Sequence, residues 1–159
     1  MPKRRSGPGR ILLPLAGSTL SLRALNATLR LCEVDDATLV AAYIAVVPRR
    51  LPLGVPLPQQ GQRAMDLLEA IDQRAAKRKV PVDGRVVSAR DLRDGLRQLC
   101  ERERFDRIVL PARSNGGAGF ESLDIAWLMG HVECEVVALK PAATDQKRIE
   151  AKPVLLPKA

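Results

Sequence analysis

The chain has 159 residues, 46% hydrophobic and 28% charged, with a formal net charge of +8. That length suits one domain able to bury its own core without disulfides or a structural metal. The charge lies in the ends: residues 1–10 hold four basic side chains and no acid, residues 140–159 hold five basic and two acidic, and 11–139 keeps 17 basic against 16 acidic.

A near-neutral body lacks the clustered cations of a nucleic-acid groove. The four aromatic residues, Tyr43, Phe105, Phe120 and Trp127, offer no stacking platform for single strands. Cys32, Cys100 and Cys134 are odd in number, far apart in sequence and set among apolar residues, which suits reduced core thiols rather than a disulfide framework. With one histidine, a zinc site of common composition is not expected. No run approaches the ~18 apolar residues that a membrane span needs, so the expectation is a soluble cytoplasmic protein without a metal.

In chain order, Arg10 to Leu15 reads as a buried strand feeding a turn at Gly17-Ser18. Leu22, Leu25 and Leu29 then recur at helical spacing, with Ser18 or Ser21 as the cap. Asp35-Asp36 makes a turn, and Thr38 to Val47 is an unbroken apolar run of the kind found in a strand covered on both faces. Pro48 through Gln60 is proline-rich and reads as a loop bordering a cleft. Gly61 to Lys79 predicts a helix with Met65, Leu68, Ile71 and Ala75 on one stripe.

Pro81 to Ser88 predicts a short strand near the sheet edge. Ser88 and Asp91 resemble a capping box for a helix bearing Leu92, Leu96, Leu99 and Cys100, and Gly95 inside that helix implies close packing. Asp106 opens a strand over 107–110, and Arg113 to Gly119 is a glycine-rich turn. A helix with Leu123, Ala126, Trp127 and Met129 follows, ended by Gly130, and Val132 to Leu139 is the last strand. Residues 1–9 read as a basic disordered tail, 10–140 as the domain and 141–159 as a polar C-terminal tail, in which Val154 to Leu156 could dock. Strands alternating with helices imply right-handed crossovers, a mainly parallel sheet and a ligand crevice at the carboxyl ends of its strands.

Three strings carry a resemblance: ILLPLAGS at 11–18, DRIVLPARSNGG at 106–117 and HVECEV at 131–136. Their order and spacing resemble the universal stress protein family. The resemblance implies a single doubly wound α/β domain, with five mainly parallel strands in the order 3-2-1-4-5 and helices on both faces. It also implies a homodimer formed through the fifth strand, here Val136, Val137 and Leu139.

Members that bind ATP share a phosphate motif: glycine, two residues, glycine, nine residues, then glycine followed by serine or threonine. Counting back from His131 puts Ser122-Leu123 at the last pair. Counting on from Asp106 puts Ser114 and Gly117 at the paired glycines, with only four residues between Gly117 and Ser122. A rival register through Gly116, Gly119 and Gly130 fails because His131 stands where the hydroxyl should be. The aspartate that the family places at the end of its first strand corresponds to Ala16. The resemblance therefore implies that two parts of the ATP grip are missing.

The candidate ligand-binding residues are Pro14 and Val46, which resemble positions near the family's adenine, together with Arg113, Gly116, Gly117, Gly119 and Ser122. The glycines could cradle an anion through backbone N–H groups or could form a tight turn that needs positive φ. His131 reads as a structural residue at a helix C-terminus, and no catalytic constellation is present. The resulting expectation is a non-catalytic regulatory or adaptor protein of the stress-response type, with ATP binding lost or altered. The alternatives are an ATP- or AMP-binding member, or a binder of nucleic acid or acidic surfaces through its basic tails.

Overall fold

A computed structural model describes residues 9–113 and 118–152. The sheet is built outward from the first strand. β1 (Arg10–Leu15) pairs in parallel with β3 (Thr38–Val46) on one side and β5 (Arg107–Pro111) on the other. β4 (Val82–Ala89) extends the sheet beyond β3, and β6 (Glu135–Leu139) extends it beyond β5. The order is β4-β3-β1-β5-β6. Counting only these five strands, this is the implied 3-2-1-4-5, with the Pro81–Ser88 strand at the edge as read.

β1 and β3 lack polar alternation because helices cover both faces of the sheet. One face packs against α1 (Leu22–Asp35) and α2 (Pro58–Lys77) through Leu25, Leu29, Cys32, Leu67 and Ile71. The other packs against α3 (Leu92–Arg102) and α4 (Ser122–Met129) through Leu96, Leu99, Phe120 and Leu128. Of the two candidate caps for α1, Ser21 serves: its hydroxyl accepts the Ala24 N–H at 3.3 Å. No helix among the described residues is long and apolar enough to cross a membrane.

Three local readings need correction. α2 starts at Pro58 rather than Gly61, since proline costs nothing in the first helical turn, where its missing N–H has no partner to lose. Met65 is 66% exposed; the buried stripe is Ala64, Leu67, Ile71 and Ala75, which continues the Ile71 and Ala75 face at spacings of three and four. Ser88 does not cap α3. Pairing of β4 with β3 runs as far as Ala89 opposite Val46 and keeps Ser88 in the strand, while Asp91 caps α3 by accepting the Asp94 N–H at 2.7 Å.

Gly95 lets α3 lie close on the sheet: a Cβ there would come within 2.6 Å of Ile44 Cγ2. Gly95→Ala gains about 1 kcal/mol of helix propensity but overpacks the core at a cost of ~1–3 kcal/mol. The expected result is a net loss of about 1 kcal/mol in denaturant unfolding, and a stabilised variant would contradict the close packing.

The segment after residue 140, read as a polar tail, contributes a strand. β7 (Arg148–Glu150) pairs antiparallel with β2 (Thr19–Ser21), and Ile149 is buried in the α1–α2 core. The ribbon is tied at both ends, by Leu22 N–H to the Lys147 carbonyl and by Ala151 N–H to the Ser18 carbonyl. Beyond it, the Lys152 N–H donates to the Asp66 carboxylate on α2 at 2.9 Å. The Val154 to Leu156 docking reading lies outside the described residues.

Candidate functional site: the cleft between β1 and β5

β1 is the switch point of the sheet, since the chain leaves it in one direction to β3 and returns on its other side as β5. The β1–β5 register consists of Ile11 with Arg107 and Leu12 with Ile108. The crevice lies at the carboxyl ends of these two strands. Pro14, which has no N–H to give, lies just beyond the last registered pair and is buried.

The crevice leads to a cavity of about 360 Å³ lined by Ala16, Gly17, Tyr43, Ile44, Val46, Gln60, Arg63, Leu92, Arg113, Ala118 and Gly119. Of the candidate residues, Val46, Arg113 and Gly119 are brought together there. Pro14 does not line it, and Ser122 is exposed at the start of α4, outside it. Gly116 and Gly117 lie outside the described residues.

Gln60 and Arg63 complete the cavity from α2, and neither was singled out in the sequence. The Gln60 carboxamide meets the backbone of Val46 twice: Oε1 accepts the Val46 N–H at 3.1 Å, and Nε2 donates to the Val46 carbonyl. Both backbone groups at this strand end are thus engaged within the chain. Arg63 and Tyr43 both line the cavity. Burial pushes the Tyr43 pKa above its usual value, and the Arg63 charge opposes that shift.

The loop after β5 closes on itself. Phe120 N–H donates to the Pro111 carbonyl at 2.8 Å, and Arg113 N–H donates to the Phe120 carbonyl at 2.8 Å. Gly119 makes this closure with φ +129. On the opposite wall Gly17, with φ +84, lies so close that a Cβ would sit 2.9 Å from the Ala118 methyl. Both glycines therefore have conformational work that requires no ligand.

The start of α4, where an anion would be drawn by the helix dipole, carries Glu121 as its N-cap residue and Asp124 in its first turn. Glu121 pairs with Arg113 at 2.9 Å, and Asp124 pairs with Arg93 at 3.2 Å. A second hollow of about 390 Å³ at this point is lined by three carboxylates, Asp91, Glu121 and Asp124, together with Arg93 and Arg113. The positive end of α4 is already compensated by the chain's own acids.

His131 sits at the C-terminal end of α4. Its Nδ1 lies 2.7 Å from the Trp127 carbonyl, and its ring stacks on Trp127 at 4.3 Å between centroids. This is the helix-end role read from the sequence. Gly130 ends the helix in a right-handed conformation. Among the described residues, no group of three or more His, Cys, Asp or Glu side chains is placed to hold a metal ion.

A parallel sheet that reverses its winding at a crevice, with a glycine-turned loop closing one wall, defines a nucleotide-binding-like α/β domain. The family model described as "Universal stress protein family" matches residues 8–140. The chain belongs to that family. No curated protein matches it significantly.

Among solved structures, the chain is similar to a universal stress family protein from Burkholderia pseudomallei at 21% identity, covering 82% of this chain and 95% of that one, with a TM-score of 0.61. An Arabidopsis thaliana family member with AMP bound matches at 19% identity, over 88% and 96% of the two chains, with a TM-score of 0.64. The Archaeoglobus fulgidus universal stress protein in complex with dAMP matches at 10% identity, over 82% and 96%, with a TM-score of 0.60. At these identities the likeness is one of fold.

Proposed function

We propose that this protein is a non-catalytic regulatory or adaptor member of its family, acting in the cytoplasm, whose cleft does not hold ATP through the phosphate motif. The acidic start of α4 carries this reading. A triphosphate at the helix N-terminus would meet Glu121 and Asp124, each already paired to an arginine, in place of unopposed N–H groups. Ala16 at the end of β1 has no carboxylate for a ribose, and Gln60 occupies the backbone of Val46.

Calorimetric titration with magnesium ATP tests this. No saturation at millimolar nucleotide is expected, and a dissociation constant in the low micromolar range would overturn the reading.

A second reading, an AMP-type ligand, draws on the cavity itself, whose lining includes Arg63 and Arg113 and no carboxylate. Under it AMP would saturate the protein in a parallel titration with AMP in place of ATP, and Gln60→Ala would tighten binding by freeing the Val46 backbone. The pairing of two copies through β6 remains part of the proposal. β6 ends the sheet with Val136, Val137 and Leu139 half-buried, and an apolar edge favours a second copy. Sedimentation equilibrium that returns only monomer would remove it.

A further inference from the structure

Outside the cleft, a hollow of about 900 Å³ lies on the α3–α4 face. Two of the three cysteines line it, Cys100 from the last turns of α3 and Cys134 from the segment that enters β6. The sequence separates them widely, but the fold sets both on the lining of this hollow. The β5–β6 register pairs Arg107 with Glu135 and so sets Cys134 level with Asp106, a few residues beyond the end of α3.

Both thiols are half-buried and pack against the same apolar cluster, beside Phe105, Ile108 and Leu128. Cys32 is different: it is 1% exposed, in the core on the opposite face of the sheet. Burial, together with the charge of Cys134, pushes the Cys100 thiol up to about 11. Burial, Asp106 and Glu135 likewise raise Cys134.

We propose that Cys100 and Cys134 form a redox-sensitive dithiol, converted to an intramolecular disulfide by a low-molecular-weight disulfide of the glutathione type. One cysteine, as thiolate, attacks the oxidant's S–S bond, forming a mixed disulfide and expelling one glutathione thiolate. The second cysteine sulfur then displaces the other glutathione. Two protein thiols are oxidised, one oxidant disulfide is reduced to two thiols, and both protein protons end on glutathione. Because both thiols are protonated at neutral pH, the exchange is slow, and its equilibrium rather than its rate is the informative quantity.

The test uses the full chain, folded, incubated to equilibrium with oxidised glutathione at about pH 8.5, close to the ordinary thiol pKa. Remaining thiols are then alkylated under denaturing conditions, and the protein is mapped by mass spectrometry. The expected product carries one alkyl group, on Cys32, and yields a peptide linking Cys100 to Cys134. Cys32→Ser should retain this link. Cys100→Ser and Cys134→Ser should each lose it and leave the remaining groove cysteine as a glutathione adduct. Wild-type protein in which both groove cysteines stay reduced, or in which each carries its own glutathione without a linked peptide, would overturn the proposal.

Discussion

Phe120→Ala is expected to remove about 3–5 kcal/mol of stability, the usual cost of truncating a buried phenylalanine. Phe120 is among the largest fully buried side chains, at 1% exposure. It packs in the core beneath α3 and α4 with Leu96, Leu110 and Leu128. Its backbone closes the loop after β5 from both sides, to Pro111 and to Arg113, so the side chain anchors one wall of the cleft.

Since whole domains are stable by only ~5–15 kcal/mol, the variant should show a large fall in its denaturant midpoint. It should also show faster hydrogen exchange at the Arg113 and Phe120 amides than at the amides of β3. A loss below about 1 kcal/mol would mean that the core can collapse around the gap, and that Phe120 does not hold the loop.

Gly119→Ala is expected to cost about 3 kcal/mol, although it adds a single methyl group. Two effects combine. A φ of +129 is strained for any residue with a Cβ, by ~1–3 kcal/mol. The new Cβ would also lie 2.9 Å from both Arg113 N and Pro111 O. Those are backbone atoms already engaged in the two 2.8 Å hydrogen bonds that close the loop, so neither can yield without breaking a bond. Gly54→Ala is the control. Gly54 has no atom within 4 Å of a built Cβ and no positive φ, so that change should be neutral or stabilising by ~0.4–1 kcal/mol. Equal unfolding midpoints for the two variants would show that the Gly119 loop relaxes freely.

Part of the cleft was legible: Val46 near a strand end and Gly119 in a turn follow from an apolar run and turn residues, and both line the cavity, whereas Pro14 and Ser122, singled out through the resemblance, do not. Ala16 in place of a carboxylate needed only the order of the strings. Gln60 and Arg63 were not legible: they lie on the first turns of a helix whose start was read three residues late, and they reach the cavity only because α2 packs beside the end of β3. Met65 shows the same limit. Two stripes on α2 share Ile71 and Ala75, and packing against the sheet selects the one running through Ala64 and Leu67.

The sequence by itself determined the alternation of strands and helices, which rests on residue type and spacing along the chain, and its resemblance to the family implied the central position of the first strand. Only the tertiary structure decided what comes together across the chain: β7 against β2, the Gln60 carboxamide on Val46, the acids at the start of α4 against Arg93 and Arg113, and Cys100 in one groove with Cys134. Such meetings are set by sheet register and helix packing, which no local pattern encodes. Cys100 and Cys134, far apart in the sequence, come to line one groove only in the fold.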